Sequence, residues 1–235
     1  MMLRTGIAAA ALLVAGCTPA EVGNPAAEET ATPSLEGTQS CALSETATGG
    51  MIAQIDLCQI ELGAGEPRVF VSSDPMVDGE GTLRLEVADA EGNSLQLIDE
   101  TASGSYSYPY AEDIDGDGTL DLMVPLLTGN VNTNYAVWLK GADGMFVRAG
   151  ELGGLSIGQT PEGLIAASGR SSASAWETQY YRVTGGALEE VAAVVNRADP
   201  EPGEPVATEP TCEVIRIAEG VDPAPFCAAG AAGPG

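Results

Sequence analysis

Apolar and polar positions alternate in short runs along most of this chain. Thr82, Leu83, Arg84, Leu85, Glu86 and Val87 alternate strictly. Ser94, Leu95, Gln96, Leu97 and Ile98 follow after a turn at Ala90, Glu91, Gly92 and Asn93. A period of two sends side chains to opposite faces of a strand. Two such runs around a short turn predict a hairpin. Further strands are predicted at 52–60, 68–71, 120–126, 135–139, 145–148, 163–167, 175–183 and 187–195, with an edge strand at 212–217. Gly141, Ala142, Asp143 and Gly144 mark one tight turn between them, and Gly185 with Gly186 marks another. No segment sustains a 3.6-residue period. Helix competes only around Leu188, Glu189, Glu190 and Ala192, where residue propensities favour it, and strand is the expectation there too. The pattern predicts an all-β domain, either a single antiparallel sheet or a compact barrel or propeller-like arrangement.

The ends depart from this pattern. Arg4 precedes a short apolar run at 6–15, too short to span a bilayer as a mature helix. The run ends in Leu13, Val14, Ala15, Gly16 and Cys17. Small residues before a cysteine at that point resemble the lipobox of bacterial lipoproteins. The resemblance implies a signal peptide at 1–16, lipid on Cys17 and a membrane-anchored chain. Residues 17–40 are rich in Ala, Glu, Thr, Pro and Gly, with few large apolar groups to offset the entropy of ordering. They are expected to form a flexible tether. The β domain is then 41–197, a Pro- and Glu-rich linker is 198–211, and a cysteine-bearing segment with a small-residue tail is 212–235. The expected location is the cell envelope, at the outer membrane and facing the periplasm.

Charge narrows the partners. Asp plus Glu number 34 against 9 Lys plus Arg, a formal charge of -25. Such a field repels nucleic-acid phosphates and favours cations and basic proteins. Histidine is absent, which excludes Ser-His-Asp and Cys-His nucleophile systems and histidine-ligated zinc. With Cys17 lipidated, Cys41, Cys58, Cys212 and Cys227 remain. An even count in an oxidising compartment reads as two disulfides, with three pairings open. The local pairings, Cys41 with Cys58 and Cys212 with Cys227, are the expectation.

One motif carries chemistry. Asp113, Asp115 and Asp117 alternate, Gly118 follows at the position of a sharp turn, Thr119 can offer its backbone carbonyl, and Asp121 adds a fourth carboxylate. Calcium takes six to eight oxygens, and this order of donors suits it. An EF-hand requires a bidentate Glu at the twelfth position. Here that position is Val124, inside the apolar run Leu122, Met123, Val124. The loop therefore leads into a strand and resembles the calcium loop of integrin-type FG-GAP propeller blades. A single such loop does not make a propeller of several blades.

The stretch after the loop extends the resemblance. Gly129, Asn130, Val131, Asn132, Thr133 and Asn134 precede Tyr135, Ala136, Val137, Trp138 and Leu139. Trp176, Tyr180 and Tyr181 follow on a later strand. Together these residues resemble a family of small bacterial periplasmic and lipoprotein β-sheet proteins. One member, associated with type IV secretion, inhibits animal-type lysozyme. The resemblance covers about 113–195. It implies calcium ligation by Asp113, Asp115, Asp117, Thr119 and Asp121, and a partner-binding loop at Gly129, Asn130, Asn132, Asn134 and Tyr135. The loop here departs from the family pattern, which is richer in Gly and Tyr. Ser103, Gly104, Ser105 and Tyr106 are expected to form an ordinary turn, and Trp138 and Trp176 to pack in the core.

The expected function is a non-enzymatic, calcium-stabilised envelope lipoprotein that binds another macromolecule, with a basic c-type lysozyme as the concrete candidate. Two other readings stand beside it. One is a module that calcium only rigidifies. The other is a carboxylate-based cell-wall glycosidase, which needs two carboxylates at a fixed separation.

Overall fold

The computed structural model describes residues 38–41, 53–197 and 211–228. The expected signal peptide, Cys17, most of the tether and 198–210 lie outside these residues. The all-β expectation is met. Thirteen strands form two sheets among the described residues, and neither closes into a barrel.

The first sheet contains β1 (Cys58–Glu61), β2 (Arg68–Ser73), β3 (Glu80–Ala88), β4 (Ser94–Ser103), β5 (Tyr110–Glu112), β6 (Asp121–Thr128), β7 (Thr133–Lys140) and β8 (Phe146–Gly154). Its order is β1-β2-β3-β4-β6-β7-β8, with β5 paired to β6. Neighbours are antiparallel except β4 and β6, which meet in parallel at Ser103 and Leu127. The expected β3–β4 hairpin forms. Asp89 closes its turn by accepting the Asn93 amide at 2.7 Å, and Gly92 takes a φ of 88°. The second sheet contains β9 (Ser156–Gln159), β10 (Ile165–Arg170), β11 (Ala175–Thr184), β12 (Ala187–Arg197) and β13 (Thr211–Ile217), in the order β13-β12-β11-β10-β9. The region where helix competes is strand β12, and Gly185 and Gly186 make its turn at φ 59° and 81°.

Burial explains why β6 reads as a continuous apolar run. Leu122 and Val124 enter one core with Val69, Leu83, Leu85 and Ile98 of β2–β4. Met123 points the other way, into a second core with Val137, Leu152, Ile165 and Ala167. The strands β6–β8 are thus a middle layer, covered on one face by β1–β4 and on the other by the second sheet. A strand buried on both faces loses its polar alternation. The first sheet must fold over to achieve this. The Gln96 side chain marks the fold: its amide donates to the Phe146 carbonyl and its oxygen accepts the Phe146 N–H, both at 2.8 Å. Only Leu155 separates β8 from β9, so the chain passes directly from one sheet to the other.

Both local disulfides form, Cys41–Cys58 and Cys212–Cys227, and they suit an exported, oxidising environment. The first joins the start of the domain to β1. Gln39 also accepts a hydrogen bond from the Gln59 N–H, so the last residues of the expected tether are paired with β1. The second holds a 3-10 turn at Ala224–Cys227 over the outer face of the second sheet, where Phe226 packs against Tyr180 at 4.9 Å.

Several sequence expectations need adjustment. Of the run 52–60, Ile52 lies outside the described residues and strand begins at Cys58, with Ile55 buried ahead of it. Thr211, assigned to the linker, opens β13. The short strands β5 and β9 add to those expected. Trp138 packs against the first core and donates its indole N–H to Glu100 at 2.9 Å. Trp176 is half-buried on a sheet face, under the Arg170 guanidinium at 5.0 Å, and joins none of the three core clusters. Tyr106, after the turn at Gly104, is buried and donates its hydroxyl to the Asp74 carbonyl at 2.8 Å.

Candidate metal centre

The acidic loop joins β5 to β6, so it stands at one end of the middle layer. Its turns are built by the aspartates themselves. Asp113 accepts the amides of Gly116 at 2.8 Å and Gly118 at 3.0 Å. Asp115 accepts the Asp117 amide at 3.2 Å, and Asp117 accepts both the amide and the hydroxyl of Thr119 at 2.7 Å. Gly116 and Gly118 adopt φ of 79° and 90°, a region that costs other residues.

One carboxylate oxygen from each of Asp113, Asp115 and Asp117 lies within 4.8 Å of the other two. Each carboxylate has about four lone-pair sites, so the turn hydrogen bonds leave acceptor capacity. Burial, followed by the charges of Asp117 and Asp113, pushes the Asp115 carboxyl upward, with the Asp117 amide opposing. Thr119 holds Asp117 below the usual carboxylate range through its hydroxyl and amide. The donor set is all hard oxygen, which fits calcium by charge and by ligand type.

The fourth aspartate is placed differently. Asp121 is the first residue of β6, is 1 % exposed and stands outside the group of three. One of its oxygens accepts the Lys140 amide at 2.9 Å and the other the Ile114 amide at 3.2 Å. Burial raises its pKa to about 6 against these two amides. Asp121 thus ties the loop to the adjacent strand β7. The Lys140 side chain is turned elsewhere and pairs with Glu66.

The expected partner loop is divided in the same way. Asn130 and Val131 are exposed on the β6–β7 turn. Asn132 is not free for a partner, because its amide is hydrogen-bonded to the backbone of Arg170. The Asn134 side chain lies over Gly153, where a Cβ would come within 2.6 Å of its oxygen. Tyr135 packs edge-on to Tyr110 at 5.7 Å and lines the second core. Beside this turn is a groove of about 180 Å³, lined by Asn132, Gly153, Ala167, Gly169, Arg170, Ser171, Glu177 and Gln179. Glu177 is the one carboxylate in that lining, and it pairs with Arg216 at 2.9 Å. Its relevance was not visible from the motif, since neither Glu177 nor Gln179 belongs to a recognisable pattern.

No family model and no curated protein matches the chain. A solved structure described as a Xanthomonas type IV secretion system related protein aligns with 73% of this chain and 96% of its own. The identity is 13% and the TM-score 0.45.

Proposed function

We propose that this chain is a non-enzymatic lipoprotein of the cell envelope whose β domain is stabilised by calcium and binds another macromolecule. The observation that carries the calcium reading is the convergence of Asp113, Asp115 and Asp117 within 4.8 Å. Three like charges so close repel one another, and a divalent cation removes that repulsion while adding ligand bonds. Asp113, Asp115 and Asp117 would hold the ion by side-chain oxygens and Thr119 by its carbonyl. Asp121 would add a further carboxylate, as the motif implies, or support the site through its two amide bonds. Lipid on Cys17 would hold the domain at the outer membrane, facing the periplasm.

Charge complementarity supports a basic partner. A formal charge of -25 raises the encounter rate with a cationic protein. A c-type lysozyme is the concrete candidate, met by the exposed Asn130 and Val131 of the β6–β7 turn. The test is lysozyme activity against a cell-wall substrate with increasing amounts of the full-length protein, in calcium and in chelator. The reading expects inhibition that is stronger with calcium. Full lysozyme activity at saturating protein in both conditions would remove lysozyme as the partner.

A further inference from the structure

The acidic loop touches both sheets. Ile114, between two of the proposed ligands, is 1 % exposed and sits in the core that joins the middle layer to the second sheet, beside Ile165 and Ala167. On the outer side, Gln159 reaches over from the end of β9. Its amide nitrogen donates to the Asp113 carbonyl at 2.8 Å. Its head group lies against Gly116 so closely that a Cβ there would come within 3.0 Å of its oxygen and 3.2 Å of its nitrogen. The glycine therefore serves two ends: it makes the turn, and it leaves a seat for a side chain from the other sheet.

We infer that Gln159 is a positioning residue that makes calcium binding and the docking of the second sheet one linked equilibrium. This rests on the calcium reading above. Fixing Asp113 and Asp115 fixes Ile114 between them and the Asp113 carbonyl that Gln159 grips. A ligand that binds only the docked arrangement must stabilise that arrangement by mass action. The linkage runs both ways, so loosening β9 must weaken calcium binding. Side-chain oxygens of the loop alone would give a local effect. The Gln159 contact carries it 46 residues along the chain into β9 and β10.

The experiment is amide hydrogen exchange on the full-length protein, with calcium and with chelator, in wild type, Gln159→Ala and Gln159→Glu. Gln159 is exposed, so neither substitution removes core packing. At calcium ten times above the dissociation constant, exchange by local opening slows about tenfold wherever opening requires release of the ion. In wild type that slowing is expected in the loop at 113–121 and also in Ser156–Gln159 and Ile165–Arg170. Both variants lack the donor to Asp113, so at calcium ten times each protein's own dissociation constant both should keep the slowing in the loop, lose it in β9 and show less of it in β10, where Ile114 still packs. Slowing confined to the loop in wild type, or unchanged slowing of β9 and β10 in the variants, overturns the linkage and leaves the calcium site standing. No slowing anywhere in wild type overturns both.

Discussion

The side-chain amide of Asn132 pairs with the backbone of Arg170 as a neighbouring strand would. Its oxygen accepts the Arg170 N–H at 3.0 Å and its nitrogen donates to the Arg170 carbonyl at 2.9 Å. The β6–β7 turn is thereby tied to β10 of the second sheet. Two such bonds together contribute about 1–3 kcal/mol, so Asn132→Ala should lower unfolding stability by that amount in urea melts. Asn132→Asp keeps the acceptor and loses the donor, and should fall between. An unchanged urea midpoint for Asn132→Ala would show that the turn is held by other contacts.

Gly81 lies beneath Tyr106. A Cβ on residue 81 would stand 1.8 Å from the phenolic oxygen and 2.8 Å from the ring carbon that carries it. Gly81→Ala must therefore displace a buried ring, at about 1–3 kcal/mol, and endanger the bond to the Asp74 carbonyl. Adding Tyr106→Phe removes the closest atom, so the double variant should recover part of the loss. A double-mutant cycle with no coupling between the two positions would contradict this packing.

Glu177 sets an acid limit on the second sheet. The Gln179 amide holds its carboxyl below the usual value of 4.5, Arg216 adds to this, and burial opposes it. A carboxylate with a lowered folded pKa contributes stability that is complete above 4.5 and is lost as pH falls through the lowered value. The stability gap between wild type and Glu177→Gln should be constant from pH 7 to about pH 5 and close at lower pH. A gap that widens on acidification has the wrong sign for this account.

The two disulfides differ in access. Cys41 and Cys58 are 2 % and 4 % exposed, whereas Cys212 is exposed on an edge strand and Cys227 is half-buried. Thiolate attack requires access to sulfur. Mild dithiothreitol on the native protein should open Cys212–Cys227 first, as read by alkylation and peptide mass. Loops of 15 and 17 residues each contribute about 3 kcal/mol in the chain-entropy model. Full reduction should therefore lower the melting temperature more than opening the outer bond alone. Earlier reduction of Cys41–Cys58 would contradict the burial described for it.

The alternation of apolar and polar residues makes the β3–β4 hairpin legible, because Leu83, Leu85 and Val87 are buried in the core while Arg84 and Glu86 between them are not. In β12 helix competes because Leu188, Glu189, Glu190 and Ala192 favour it by propensity, and Val191 to Val195 are buried throughout and offer no alternation to decide against it. The short β5 and β9 were not legible: three or four residues hold too little pattern, and β9 includes Gly158 and Gln159. Where the first sheet folds onto itself, Gln96 meets Phe146, 50 residues away, and no local signal encodes that contact. The same holds at the site. Asp113, Asp115 and Asp117 were readable because the ligands of one loop lie on one short segment. Gln159 and the groove residues come from other strands, and only the topology brings them together.

On the proposal above, the acidic loop takes calcium and the fold gains stability from it. The direct test is a thermal melt of the full-length protein in calcium and in chelator, beside Asp117→Asn, which keeps an acceptor for Thr119 and removes a charge. Extracellular calcium sites have dissociation constants of about 10⁻⁴–10⁻³ M. At ten times that concentration the ion stabilises the fold by about 1.4 kcal/mol, or roughly 3–6 °C for a domain of this size. On this account wild type should show that shift, and Asp117→Asn should lose most of it, each measured against its own melt in chelator. A wild-type melt that does not move with calcium, or an equal shift in Asp117→Asn, would contradict it.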